Sequence, residues 1–381
     1  MESNSFNKKI CIMTTVHYPF DTRIFYKEAL SLQNAGYNIV LVAPHNKNET
    51  VAGIRIISLK NIKNRFLRML ISPLAAYKKA KFENADIYHI HDPELLPAGR
   101  LLKRHGKTVI YDMHENLPKQ ILHKWWIKPY LRKCLALLAS MSEKCLLSGI
   151  PVIFAEHSYK KDYLWINNYT TILNMPLKEW LNPSKKDDNF AGRITIGYMG
   201  KVSRIRGSEI TIEALAALRH RGIEIKFECI GYAENTHKEK LLELCRKYSL
   251  HGITFHGHMP ATKGWNIIGQ CDICLALLHP IPNYIESYPT KLFEYMSLGI
   301  PVIASNFPLW REIIESNNCG ICVNPLNPEE ISEAIDKLAS NPDLAAKMGR
   351  NGRRAVEERY NWRNEEKKLY EFYEKLLSVG N

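Results

Sequence analysis

Short runs of β-branched and apolar residues alternate with helix-length segments from one end of the chain to the other. KICIMTT, NIVLVAP, DIYHI, TVIYD and PVIFA punctuate the first half, and ITIGYMG, IKFECIG, GITFHG, ICLALL, PVIAS and GICV the second. Such runs are apolar on both faces, and their alternation with helical segments predicts an α/β protein whose parallel sheets are covered by helices on both sides. The rhythm pauses once. Between NMP (174–176) and ITIGYMG lies LKEWLNPSKKDDNFAGR, polar and turn-rich, which reads as a linker between two domains. The expected organisation is 1–178, a linker 179–192, a second domain 193–357 and a terminal helix 358–381. Two parallel-sheet domains of near equal size predict a cleft between the carboxyl ends of their strands, where such folds bind ligands.

One stretch of the second half, ESYPTKLFEYMSLGIPVIAS (286–305), carries this reading to local detail. Pro289 is expected in the first turn of a helix, where its missing N–H costs nothing. Glu286 then falls in the preceding loop and Glu294 inside the helix. Gly299 closes that helix, and PVIAS follows as a buried strand. A loop opening onto a helix N-terminus is an anion-binding layout.

Composition adds exclusions. At 381 residues, 45% hydrophobic and 24% charged, the chain is of ordinary soluble composition and long enough for two cores. No run of eighteen apolar residues and no secretory leader is seen, so a cytoplasmic protein is expected. Nine cysteines fit a reduced compartment. Two C-x-x-C pairs, Cys271 with Cys274 and Cys319 with Cys322, read as small buried hydrophobes, since strand positions three apart point to opposite faces. No G-x-G-x-x-G, Walker A or D-x-D sequence occurs, which removes the motif support for a dehydrogenase, a P-loop NTPase and a metal-dependent sugar transferase.

Charge is one-sided. Residues 1–180 hold 26 Lys and Arg against 14 Asp and Glu, whereas residues 181–381 hold 26 against 25, so almost all of the +13 lies in the first half. A nucleic acid, an anionic membrane or a phosphorylated substrate would each suit such a surface. No aromatic-interleaved basic recognition motif is present, which argues against nucleic acid.

Three constellations carry chemistry. In GYMGKVSRIRGSEITIEAL (197–215) a strand ends at Gly200 and a loop bearing Lys201, Arg204 and Arg206 leads through Gly207 into a helix. Two cations five apart can grip a diphosphate; the alternative is a solvated basic loop. Glu294 can accept hydrogen bonds from ribose hydroxyls, and Glu286 with the amides that follow can hold sugar hydroxyls or phosphate oxygens. A glycosidase pair and a helix N-terminal charge are the competing readings. In the first half, His89, His91 and Asp92 close one strand, and Asp112, His114 and Glu115 close the next. His-x-His shares one strand face and can bind a metal, although the carboxylates such a site needs are not identifiable from the sequence.

Lys201 and Arg206 after a G-x-x-G strand end, E-x7-E before G-I-P-V-I-A, and the histidine of D-M-H-E together resemble the retaining family 4 glycosyltransferases of the two-domain type B fold. HYPFDTRIFYKEALSLQNAGYNIVLVAP, HIHDPELL and the terminal NWRNEEKKLYEFYEKLL are similar to bacterial surface-polysaccharide members. The resemblance spans nearly the whole chain. It implies two Rossmann-like domains, an N-terminal acceptor domain and a C-terminal donor domain, with the terminal helix crossing back to the first. It implies a nucleotide-sugar donor held by Gly200, Lys201, Arg206, Ser287, Thr290, Lys291, Leu292 and Glu294, with His114 and Glu286 as the catalytic pair and no metal or other cofactor. Two segments depart from the family pattern: Pro19 to Arg23 replaces a Gly-Gly loop, and ESYP replaces E-G-F-G. A sugar-nucleotide epimerase of the same fold and a non-catalytic sugar-nucleotide sensor are the rival classes.

The acceptor expected from the resemblance is a glycan or a polyprenyl-diphosphate-linked sugar. KNIKNRFLRMLISPLAAYKKAK (60–81) mixes cations with Phe66, Leu67, Met69, Leu70 and Ile71, and HKWWIKPYLRK (123–133) adds Trp125 and Trp126. That mixture suits a membrane interface, so peripheral binding to the anionic inner face of the cell membrane is expected. The alternative is that Pro73 breaks the first helix and its apolar residues face the core.

Overall fold

The structure is a computed structural model that describes residues 8–124, 127–181 and 193–379. Trp125, Trp126 and most of the expected linker lie outside the described residues. The chain divides into two compact units, one formed by Met1–Asn174 with Arg363–Asn381 and the other by Met175–Trp362.

The first unit is built on eight strands: β1 (Lys9–Met13), β2 (Asn38–Pro44), β3 (Glu49–Val51), β4 (Ile54–Leu59), β5 (Ile87–Ile90), β6 (Thr108–Met113), β7 (Val152–Phe154) and β8 (Tyr169–Thr171). Their spatial order is β3-β4-β2-β1-β5-β6-β7-β8. Every pairing is parallel except β3 with β4, an antiparallel edge ribbon that corrects the all-parallel expectation. β1, β5 and β6 are buried almost throughout, as strands covered on both faces must be. Chain order reverses between β1 and β5, so their carboxyl ends form the switch point at which such sheets present ligand crevices.

The second unit carries β9 (Ile194–Met199), β10 (Ile225–Ile230), β11 (Ile253–Gly257), β12 (Ile273–Ala276), β13 (Val302–Ser305) and β14 (Gly320–Val323). All are parallel, in the order β11-β10-β9-β12-β13-β14. This is the doubly wound dinucleotide-fold order, with its switch point between β9 and β12.

Several local features differ from the sequence reading. The helix Arg65–Glu83 runs straight through Pro73, N-capped by the Asn64 side chain on the amides of Phe66 and Leu67. Its Phe66, Leu67, Met69, Leu70 and Ile71 are exposed, not core residues. All nine cysteines are free thiols. Cys271 sits in the turn before β12 rather than in the strand, so the alternation argument fails for it: both Cys271 and Cys274 direct their sulfurs at the bare Cα of Gly197, where a Cβ would meet them at 2.8 and 3.0 Å. No described helix is long and apolar enough to cross a membrane.

The terminal helix Trp362–Val379 packs with the first unit. Glu365 accepts from the Leu173 amide at 2.8 Å, and the hydroxyls of Tyr370 and Tyr373 meet the Ser31 carbonyl and His89 Nδ1, each at 2.8 Å.

Candidate functional site

At the switch point of the second sheet, β9 ends in Met199 and Gly200, the latter at φ 141°. Tyr295 fixes this strand end by accepting from the Met199 amide at 2.8 Å, and the Tyr198 hydroxyl donates to the Lys201 carbonyl at 2.7 Å. A single 3-10 turn, Arg204–Arg206, follows and closes at Gly207, whose φ of 78° and close approach to the Leu277 carbonyl admit no side chain. Gly207 then caps the helix Ser208–His220. The cationic loop is thereby locked over the carboxyl ends of β9 and β12.

The opposite wall is the segment read from the sequence as loop, helix and strand. Pro289 proves to be the N-cap residue of the helix Thr290–Ser297, one position earlier than expected. Glu286 ends a preceding short helix, Pro282–Ile285. The Trp310 indole donates to the Ser287 carbonyl at 2.8 Å and holds the loop down. The Ser287 amide and hydroxyl both donate to the Tyr284 carbonyl, and the Leu292 amide to Pro289, so these donors are satisfied within the loop itself. Gly299, at φ 72°, ends the helix as expected.

Lys291 is the group that joins the two walls. Its side chain is buried, its Nζ lies 3.9 Å from the Tyr198 ring centroid, and a Cβ on Gly200 would meet Nζ at 3.0 Å. The bare Gly200 is what lets the ammonium approach the strand end. Lys291 Nζ has no hydrogen-bond partner among the described residues. Burial, followed by the Arg206 charge, brings its pKa down to about 7, while Glu294 acts in the opposite direction. Arg206 stacks on Tyr284 at 5.7 Å. Lys201 is exposed, and Glu286 and Glu294 are half-buried. A buried orphan cation beside a guanidinium, on a glycine-lined strand end, is built to receive an anion.

In the first unit the switch point carries a different chemistry. His89 and His91 stack with centroids 4.4 Å apart, and His91 continues the stack onto His114 at 5.4 Å. His91 Nδ1 lies 3.0 Å from His114 Nε2. Two carboxylates are buried within 4.8 Å of the two strand histidines: Asp112, named in the sequence at the end of its strand, and Glu28, which the sequence did not single out. Arg23 lies between them. Its Nε and Nη2 donate to Asp112 at 3.0 and 3.1 Å, its Nη1 donates to the Ile172 carbonyl, and Nε is 2.8 Å from Glu28. The guanidinium therefore supplies the positive charge that this acidic pair demands.

Asp21 explains how Arg23 gets there. It caps the helix Thr22–Ala29 by accepting from the amides of Arg23 and Ile24, and that helix has π pitch. Arg23 and Glu28 are five apart, a spacing that i→i+5 hydrogen bonding brings onto one face. Burial pushes the Asp21 carboxyl up, but His17 and the two amides outweigh it and hold it at about 2. Asp21 to Arg23, where many relatives of the resembled family have glycines, thus build a buried ion network. Its signal in the sequence is the D-x-R-x4-E spacing, legible only once the helix is known to be of π pitch.

Two family models match the chain: "Glycosyltransferase Family 4" over residues 22–146 and "Glycosyl transferases group 1" over residues 182–355. An uncharacterized glycosyltransferase of Methanocaldococcus jannaschii is 26% identical over 51% of this chain and 48% of its own length. The chain spans about half the length of the curated relatives it matches. Among solved structures, sucrose-phosphate synthase from Thermosynechococcus elongatus superposes with a TM-score of 0.76 at 17% identity, covering 98% of this chain and 100% of that one. Anabaena HepE in complex with UDP-glucose gives a TM-score of 0.71 at 15% identity, covering 96% and 99%. Likeness at such identities shows the shared fold.

Proposed function

The chain belongs to the group 1 and family 4 glycosyltransferases, and from that premise we propose that it moves a sugar from a nucleoside-diphosphate sugar to a glycan or lipid-diphosphate-linked acceptor. The observation that carries this reading is Lys291, a buried ammonium with no hydrogen-bond partner among the described residues, set between Tyr198, Gly200 and Arg206 at the switch point of the donor-type sheet.

In this reading Arg206, Lys291 and the exposed Lys201 receive the donor diphosphate. As the glycosidic bond breaks, negative charge grows on the leaving diphosphate, and fixed cations stabilise that state more than the ground state. The loop charge takes the place a divalent ion fills in other transferases. Glu294, one turn into the helix, holds the ribose; Glu286 and His114 serve the transferred sugar. Without a protein nucleophile in this set, the departing phosphate takes the acceptor proton during front-face attack, which retains the anomeric configuration.

The acceptor is proposed to be membrane-borne. On the first unit Phe66, Leu67, Leu70 and Ile71 stand exposed beside Arg65, and Leu131, Leu135, Leu137, Leu138 and Met141 stand exposed on the helix Pro129–Leu146 beside Lys128, Lys133 and Lys144. Met69 of the first helix and Ala139, Ser142 and Leu146 of the second line one cavity of about 230 Å³, so the two helices are neighbours on this unit. Apolar side chains among cations suit an anionic bilayer surface, as surface-polysaccharide synthesis on lipid carriers requires.

The deciding experiment incubates the protein with a panel of nucleotide sugars, with and without lipid-linked and soluble acceptors. Acceptor-dependent release of nucleoside diphosphate with a new glycosidic product is expected. Conversion of the donor to an epimer without acceptor, or an intact donor under every condition, would overturn the proposal.

A further inference from the structure

One buried acid of the first unit lacks the partners that the others have. Glu28 and Asp112 stand against Arg23, Glu83 against Arg55 and Lys9, and Glu365 against Lys368, while Asp92 accepts from the Thr15 amide and the Thr14 hydroxyl. Glu143, only 2% exposed, has a tyrosine instead: its Oε2 accepts from the Tyr163 hydroxyl at 3.0 Å. Its Oε1 is buried with no hydrogen-bond partner among the described residues. Burial pushes this carboxyl up to about 7, against the pull of the Tyr163 hydrogen bond. Glu143 also lines the cavity of about 230 Å³ between the helices Arg65–Glu83 and Pro129–Leu146. The walls are mainly apolar, with Met69, Leu96, Leu117, Ala139 and Leu146 among them, and the other charged residue lining it is again an acid, Glu94. Glu94 is already held, by the Thr15 hydroxyl at 2.7 Å and by the Arg68 guanidinium at 3.2 and 3.3 Å. Glu143 Oε1 is thus the carboxylate oxygen of this cavity that still wants a donor.

We propose that this cavity binds a primary ammonium group carried on a short carbon stem, with Glu143 Oε1 as its acceptor. An orphan carboxylate in apolar surroundings is costly, and a charged N–H donor supplies both the hydrogen bond and the counter-charge. The walls select the class of cation. Calcium takes six to eight oxygen ligands and magnesium a near-octahedral set, which a mainly apolar wall does not offer. A quaternary ammonium brings charge but no N–H, so Oε1 would stay without a donor. A phosphate would meet two acids and no lysine or arginine among the lining residues. Size agrees: a cavity of about 150 Å³ takes benzene, so this one has room for an aminoethyl head or the amino-bearing edge of a sugar. Two sources carry that chemistry, the ethanolamine head of a bilayer lipid and an amino sugar of the acceptor. The helices that wall the cavity are those bearing the exposed Phe66, Leu70, Leu137 and Met141, which favours the lipid. That source rests on the membrane reading given above; the ammonium site does not.

The test is methyl NMR of the whole protein labelled at methionine, with Met69 as the reporter in the cavity wall. Ethanolamine and glucosamine are titrated separately, and choline at the same ionic strength is the control. The Met69 methyl signal is expected to shift saturably with a primary amine and to stay in place with choline. Glu143→Gln should weaken the amine tenfold or more, and Ala139→Phe, which fills the cavity without touching the acid, should abolish the response. No response to either primary amine, an equal response to choline, or one that survives Glu143→Gln would overturn the proposal; the first two outcomes are read on the unmodified protein. Vesicles then separate the sources. At fixed phosphatidylglycerol content, exchanging phosphatidylcholine for phosphatidylethanolamine should raise the pelleted fraction twofold or more for the unmodified protein and not for Glu143→Gln. Equal pelleting beside a saturable amine response would defeat the lipid source and assign the site to a soluble amine or the acceptor's amino sugar. None of these readouts uses transfer activity, so a failure of the transferase reading is seen separately.

Discussion

The Lys291 ammonium sits 3.9 Å from the centroid of the Tyr198 ring, buried and without a hydrogen-bond partner among the described residues. The arrangement is costly unless an anion completes it, because a ring face replaces little of the lost hydration.

A pH dependence follows. Desolvation and Arg206 lower the Lys291 pKa to about 7, so between there and the usual lysine range the folded chain binds fewer protons than the unfolded one. This group's contribution to stability consequently rises with pH across that window. A bound diphosphate favours the ammonium and reverses the preference. Nucleoside diphosphate affinity is expected to fall as pH rises above about 7, approaching tenfold per pH unit, and calorimetry should record proton uptake on binding. Lys291→Met should bind weakly and without this slope; a wild-type affinity flat from pH 7 to 9 would refute the assignment.

Arg206 is fixed by its own 3-10 turn and by Tyr284. Arg206→Ala removes a charge-assisted phosphate contact and should weaken diphosphate binding by ~1.5–3 kcal/mol. At Glu294, Gln retains an acceptor for ribose and Ala does not, so Glu294→Gln should lose less donor affinity than Glu294→Ala. Titrating the three variants with a nucleoside diphosphate and with the free nucleoside checks both claims.

In the proposed donor site side-chain cations meet the diphosphate, so transfer should survive chelation. Activity in excess EDTA is expected to match the untreated enzyme within twofold; loss that a divalent ion restores would speak against a metal-independent donor site.

Gly207 tests whether the loop geometry matters as well as its charge. At φ 78°, with a Cβ only 2.1 Å from the Leu277 carbonyl, Gly207→Ala forces the backbone to move. It should cost about 1–3 kcal/mol of stability and displace Arg206. Denaturant unfolding and diphosphate titration of the same variant separate the two effects.

Much of this was legible in the sequence, for identifiable reasons. Doubly buried strands announce themselves as apolar, β-branched runs, so β1, β2, β5 to β7, β9, β10, β12 and β13 could be read directly, and the partly buried β11 and β14 were legible from their apolar runs between turn residues. β3, β4 and β8 could not: β3 and β8 are three residues long and only partly buried, and β4 pairs with an edge ribbon. The proposed donor loop could be placed because Gly200, Arg206, Lys291 and Glu294 lie next to strand ends that the pattern locates. The Arg23, Glu28 and Asp112 network was hidden for a different reason. Its members meet only through a π turn and a contact 89 positions apart, and helical periodicity at 3.6 residues places Arg23 and Glu28 on different faces.

The proposed membrane association rests on side chains that the fold leaves uncovered. Phe66 and Leu70 are each 75% exposed near the start of a helix whose later turns, at Ala76 and Ala80, are buried in the core. The apolar residues are therefore outside by position and not through a loosely packed helix. Leu137 and Met141, four apart on the helix Pro129–Leu146, form a second exposed ridge. Cations flank both ridges, and each contributes about 1 kcal/mol near an anionic leaflet. The protein should sediment with phosphatidylglycerol-rich vesicles at low salt and less at 0.5 M salt, and it should barely bind neutral vesicles. Phe66→Ser with Leu70→Ser should lower the pelleted fraction at both salt concentrations while leaving transfer to a water-soluble acceptor unchanged. Equal and negligible pelleting with both kinds of vesicle would assign these ridges to a soluble partner and the acceptor to solution.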